Sequence, residues 1–191
     1  YFSALNKRWQ FESDSQSCHT IKIMPVDGLL SPDGKKTAFV RDYNLWIRET
    51  ANGEELTLTR DGTEDYYYAT AAAPYGAPNT AALQAVWSPD SRNLLTHQID
   101  VRQVKSTPFV HHVPQDGSLR PQLIEHKIAY PGDTYVETYR LVAIDIETGE
   151  IQDAQYGQLS LCRVGAGFFS EEKFGWWAND SRRAFFVDVV R

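Results

Sequence analysis

Cysteine is almost missing from this chain: Cys18 and Cys162 are the only two in 191 residues. Two cysteines are too few for a disulfide framework and, alone, for a structural zinc site. Buried free thiols are the expectation, with one bridge between them as the alternative. Long apolar runs are missing too, since none reaches the roughly 18 residues that a membrane helix requires. Dense Lys/Arg runs are also lacking, and the net charge is −6, a balance that argues against nucleic acid as a partner because phosphate binding requires a basic surface. The nucleophile elbow Gly-x-Ser-x-Gly does not occur. "DGSLR" and "GFFSEE" lack the flanking glycines that its sharp strand-to-helix turn requires, so no catalytic residue is assigned.

Metal chemistry finds no pattern either. His97, His111, His112 and His126 match neither a helical HExxH nor a Cys/His knuckle, and adjacent strand residues such as His111 and His112 face opposite sides. They read as surface or edge histidines, with no metal and no cofactor expected. The chain begins "YFSALNKRWQ", without an initiating Met and without the apolar core of a signal peptide. The compartment is therefore not readable from this end.

What is present is a repeated phrase. Hydrophobic residues at 42%, with 13% aromatic, supply ample material for a core. Residues 29–40 read "LLSPDGKKTAFV", residues 85–95 "AVWSPDSRNLL", and the end reads "GWWANDSRRAFFVDVVR". In the first copy Pro32 presets φ, Asp33 can bond nearby backbone, and Gly34 supplies the φ > 0 that closes the turn. Bulky apolar residues precede each turn and a β-rich run follows it, so each copy is a β-hairpin. Asp33, Asp90 and Asp180 mark the equivalent positions.

A second type of hairpin follows. In "YNLWIRETANGEELTLT" Leu45–Ile47 and Leu56–Leu58 flank the turn Ala51–Glu54, and in "YRLVAIDIETGEIQDA" Leu141–Ile146 precedes the turn Glu147–Glu150. Two consecutive hairpins make four antiparallel strands, and such sheets repeated radially are the blades of a β-propeller. The expected fold is therefore all-β: a partial β-propeller of consecutive four-stranded antiparallel blades with a long hairpin insertion. The first blade is placed at about 25–84 and the second at 85–173, with its insertion at about 102–138. A third blade opens at 174–191. Within the insertion, Phe109–Val113 and Leu123–Tyr130 flank "PQDGSLRP". An irregular β-sandwich is the alternative. Open strand edges at the end of an incomplete propeller lead to the expectation of a longer parent chain.

The order of these phrases, together with "VPQDGSLRPQLIEHKIAYPGD", resembles the N-terminal propeller region of the dipeptidyl peptidase IV-like branch of the prolyl oligopeptidase family, over roughly residues 25–191. That resemblance implies an eight-bladed propeller over an α/β-hydrolase domain with a Ser/Asp/His triad, here absent. The propeller would gate peptide substrates and position them for that C-terminal domain. The alternative is a non-catalytic propeller that binds a protein or ligand. Peptide substrate and the hydrolase domain are thus the expected partners, with oligomerisation left open, and the branch's frequent export favours a periplasmic or secreted location. The family's amine-binding Glu pair would fall between Asp65 and Trp87, yet residues 66–86 hold no carboxylate. Glu171 and Glu172 are a literal pair, but they follow the insertion and read as a solvated turn.

The most site-like stretch is Glu64-Asp65-Tyr66-Tyr67, where carboxylates beside aromatic faces could bind an amine by charge pairing and cation–π contact. An ordinary Tyr-rich packing loop is the alternative. Asp100, Arg102 and Lys105 read as alternating charges along one strand. Trp46, Trp87, Trp176 and Trp177 read as blade core.

Overall fold

The computed structural model describes residues 2–4, 7–12, 16–21, 28–70, 83–114, 117–157, 159, 164–165 and 174–188. Among them every regular element is a strand, and every pairing is antiparallel. β1 (Phe2–Ala4), β2 (Lys7–Glu12) and β3 (Ser17–Ile21) form a three-stranded sheet. A four-stranded sheet follows in simple order: β4 (Leu29–Leu30), β5 (Lys36–Arg41), β6 (Asn44–Glu49) and β7 (Glu55–Thr57). This is the blade expected from paired hairpins.

The second sheet is built around β10 (Asn93–Asp100). On one side of it lie β13 (Thr138–Asp145) and then β14 (Ile151–Asp153). Its other edge is shared. β9 (Ala85–Trp87) pairs with Leu94–Thr96, while β8 (Tyr66–Tyr68) pairs with Gln98–Asp100. β11 (Ser106–His111) and β12 (Gln122–Lys127) form the inserted hairpin, and β15 (Gly175–Trp177) and β16 (Ala184–Phe186) the third copy of the repeated phrase.

The three repeated turns share a closing bond to the Asp carboxylate, and the first two add a serine hydroxyl where the third has Ala178. The Ser31 hydroxyl donates to the Asp33 carboxylate at 2.6 Å, and Ser88 does the same to Asp90 at 2.6 Å. The carboxylate then accepts the backbone N–H two residues on: Lys35, Arg92 and Arg182 in turn. The residue after the Asp is left-handed each time, with φ of 73° at Gly34, 61° at Ser91 and 57° at Ser181. Glycine is at ease there, whereas serine requires compensation.

Two apolar clusters hold the sheets together. Ala38, Leu45 and Ile47 of the first sheet pack against Tyr68, Trp87, Leu94, Val142 and Ile144 of the second. On the second sheet's opposite face, Val86, Leu95, Ile99 and Leu141 receive Trp177 and Phe186 of the third hairpin. β10 is therefore covered on both faces, each fully buried Leu or Ile contributing about 1.5–3 kcal/mol.

Four expectations change. His97 is not a surface histidine but fully buried, because its strand is central and enclosed; its Nε2–H donates to the Thr70 carbonyl at 3.0 Å. Cys18 is exposed on β3 instead of buried, and Cys162 lies outside the described residues. β10 ends at Asp100, so Arg102 and Lys105 occupy the following turn and not the strand. Trp87 is core, but Trp176 is 44% exposed.

Candidate functional site

Thr63 and Tyr66 exchange backbone bonds, Thr63 N–H to Tyr66 O at 2.6 Å and Tyr66 N–H to Thr63 O at 3.0 Å. That tight turn puts Glu64 and Asp65 at its tip, Glu64 exposed. Lys127, arriving from β12, donates to Asp65 Oδ2 at 2.6 Å. The Asp65 carbonyl accepts the Val101 N–H at 2.9 Å. The insertion hairpin is thereby tied to the Tyr-rich strand.

Alternation along β8 sends its three tyrosines to different tasks. Tyr66 lies under Arg102, whose guanidinium carbon is 4.4 Å from the ring centroid. Arg102 is held there by a two-point pairing with Asp100, at 3.0 and 2.6 Å. Tyr67 faces the other way, against the second apolar cluster. Tyr68 is fully buried, and its hydroxyl donates to Asp61 Oδ1 at 2.9 Å.

From Asp61 a polar chain crosses the second sheet. Gln98 Nε2 donates to Asp61 Oδ2 at 3.3 Å, and Arg140 Nη1 donates to Gln98 Oε1 at 3.0 Å. Arg140 also forks onto Asp153, with its Nη2 2.9 Å from Oδ2. The chain satisfies Gln98, which is 1% exposed and would otherwise destabilise the sheet. Beside it opens a cleft of about 350 Å³, lined by Tyr66, Gln98, Asp100, Arg140, Asp153 and Tyr156 among others.

The electrostatics follow from these pairings. The Arg102 fork holds the Asp100 carboxyl below its usual range, and the Arg140 fork does the same to Asp153. Burial, reinforced by the charges of Glu137 and Asp65, pushes the Tyr67 phenol up to about 12. An unfolded tyrosine ionises near 10. The folded chain thus retains that proton longer, and the resulting stability is complete below about pH 10 and lost as pH rises through about 12. In an alkaline ultraviolet titration, Tyr67→Phe should remove one phenol from the late-ionising step. Unchanged late amplitude would refute this burial.

Among the described residues no group of three His, Cys, Asp or Glu is placed to hold a metal ion. Arg140 and Asp153 pair with each other in the cleft and Asp100 pairs with Arg102 beside it, an arrangement that suits holding a polar chain. Of the stretch singled out by sequence, Asp65, Tyr66 and Tyr67 stand on one strand and its turn, with Tyr66 alone lining the cleft. Gln98, Arg140, Asp153 and Tyr156 were missed. The available signal was an Arg at position 140 ahead of the apolar run Leu141–Ala143, and a Gln at position 98 on the strand paired with it. Glu171, Glu172 and residues 71–82 lie outside the described residues.

Fold and cleft together define a partial β-propeller with a polar groove on one blade. The family described as "Dipeptidyl peptidase IV (DPP IV) N-terminal region" matches residues 6–168, and the chain belongs to it. A relative described as probable dipeptidyl-aminopeptidase B of Aspergillus fumigatus is 25% identical over 125 residues, which is 62% of this chain and 14% of that protein. Dipeptidyl-aminopeptidase B of Aspergillus niger is 25% identical over 132 residues, with 62% and 14% covered. Among solved structures, Porphyromonas gingivalis dipeptidyl peptidase 4 superposes with a TM-score of 0.58 at 16% identity, over 92% of this chain and 24% of its own. The chain thus spans about a seventh of the length of these curated relatives.

Proposed function

We propose that this chain is the propeller part of a dipeptidyl peptidase IV-like serine peptidase, which gates and positions peptide substrates for a hydrolase domain carrying the nucleophile. The observation that carries the reading is the family match over residues 6–168, and the polar cleft beside the Tyr-rich strand supports it. Glu64, Asp65 and Tyr66 form the substrate-facing rim in this reading, with Tyr66 reaching the cleft itself, while Tyr67 packs into the second apolar cluster behind it. Asp65 and the face of Tyr66 are already engaged by Lys127 and Arg102. A substrate ammonium must compete with both, so the rim favours hydrogen bonding along a peptide over a dedicated grip on its free amine.

The test uses the full-length parent. A serine-directed fluorophosphonate should label it, and free and N-blocked Xaa-Pro peptides should be cleaved at similar rates. Lys127→Met frees the Asp65 carboxylate and should shift preference toward the free amine by about fivefold, the scale of one charge-assisted hydrogen bond near a surface. No labelling would sink the peptidase reading and leave a propeller that binds a protein or ligand without catalysis. Labelling with no response to Lys127→Met would remove the rim from the substrate path.

A further inference from the structure

Arg102 is bound to its own chain in the way a protein binds an arginine ligand. Its guanidinium forks onto Asp100, Nε to Oδ1 at 3.0 Å and Nη2 to Oδ2 at 2.6 Å, and its central carbon stands 4.4 Å from the Tyr66 ring centroid. A carboxylate for the two-point bond and an aromatic face for the charge are the groups that best recognise a guanidinium. Asp100 of β10 and Tyr66 of β8 are direct cross-strand partners, so both side chains leave the sheet on one face. Both line the cleft.

The two sides of this contact are not equally fixed. Asp100 and Tyr66 stand on paired strands, and the Asp100 carboxylate also accepts the Arg102 backbone N–H at 3.0 Å, a bond that any residue but proline would retain there. The turn carrying Arg102 closes from the Val104 N–H to the Val101 carbonyl at 3.0 Å, and both valines are buried. That closure does not involve the Arg102 side chain. The side chain is 59% exposed, against 30% for Asp100, and among the described residues Asp100 is its only polar partner. Exposed pairs of this kind are weak.

The neighbouring cations are committed elsewhere. Arg140 bonds to Asp153 and Gln98, and Lys127 bonds to Asp65 and to the Arg102 carbonyl. When the Arg102 side chain turns outward, Asp100 and the face of Tyr66 remain in place, open to a second guanidinium.

We propose that Asp100 and Tyr66 form a binding site for an arginine side chain of a peptide, with Arg102 as its displaceable internal occupant. The incoming guanidinium takes over both bonds to Asp100 and the face of Tyr66, while Arg102 moves into solvent. An ammonium lacks the planar fork, so arginine is preferred over lysine and over a free N-terminus. The inference rests on the peptide reading above for the source of the arginine, and its test requires no turnover.

The probe is Nα-acetyl-arginine amide, which carries neither a free amine nor a carboxylate. Its binding to the full-length parent is followed by saturation-transfer NMR on the arginine methylenes. Arg102→Ala should tighten binding about fivefold, the scale of removing one competing exposed ion pair and cation–π contact. Arg102→Gln, which retains most of the stem without the charge, should act in the same direction. Adding Asp100→Asn should cancel the gain, and the citrulline analogue, a neutral isostere, should show none. The proposal is overturned if neither Arg102 variant tightens binding, if the gain survives Asp100→Asn, or if citrulline gains equally. Fluorophosphonate labelling of the same samples separates the two readings: labelling without the gain refutes this site alone, and the gain without labelling refutes the peptidase alone.

Discussion

Trp87→Ala should destabilise the folded chain by about 3–5 kcal/mol, the usual cost of truncating a buried large aromatic residue. Trp87 is 7% exposed and belongs to the cluster joining the first two sheets, where it touches the side of the interface that also holds Leu94 and Val142. Truncation removes its packing and leaves the Leu29 carbonyl without its indole donor. Trp87→Phe separates the two contributions. It retains most of the ring volume and loses the N–H, so about 1 kcal/mol should be lost. Urea unfolding curves give both values from the shift in midpoint at constant slope. If the alanine variant unfolded within about 1 kcal/mol of the parent, the inter-sheet cluster would not be a cooperative part of the core.

The second large effect is expected at Gly62. A Cβ built there would stand 2.3 Å from the Tyr43 carbonyl oxygen and 2.8 Å from Asn44 Oδ1. Neither can yield cheaply. Tyr43 sits in the left-handed two-residue turn between β5 and β6, with φ of 66°, and its carbonyl accepts the Tyr68 N–H at 3.1 Å. Asn44 grips Gly62 from both sides, accepting its N–H at 2.9 Å and donating to its carbonyl at 3.3 Å. Gly62→Ala must therefore push the 59–63 segment away, at a cost of about 1–3 kcal/mol or more. Because Asp61 is adjacent, its bonds to Tyr68 and Gln98 should be lost together. Loss of stability should thus come with accelerated exchange of the Tyr68 amide and a lower-pH ionisation of the Tyr68 phenol, which burial and, after it, the Asp61 bond now push up. A Gly62→Ala chain of parental stability would mean that this close approach is not maintained in solution.

The two substitutions act on different levels of the molecule. Trp87 joins one repeated unit to the next, whereas Gly62 fixes the local path that leads into the Tyr-rich strand.

The sequence by itself determined the local events. Pro32-Asp33-Gly34 and its two relatives dictate turn and hairpin because the closing bonds run between residues no more than five apart. The four strands of the first sheet, the paired hairpins of the second and the inserted hairpin were readable for the same reason. Which face of a strand meets another sheet depends on partners tens of residues away, and only the tertiary structure decided that. "THQID" looks like a solvated strand end, yet His97 and Gln98 are buried because β8, β13 and both neighbouring sheets enclose β10. Tyr66–Tyr68 precedes residue 85 in the chain but joins the second sheet, since the free edge of β10 beyond β9 needs backbone partners. The cleft assembles Tyr66, Arg140 and Asp153 from three strands, and no spacing in the chain brings them together. Ser91 and Ser181 show the division most plainly: their left-handed turns are local, while the hydroxyl contacts that offset the strain reach across 58 and 91 residues.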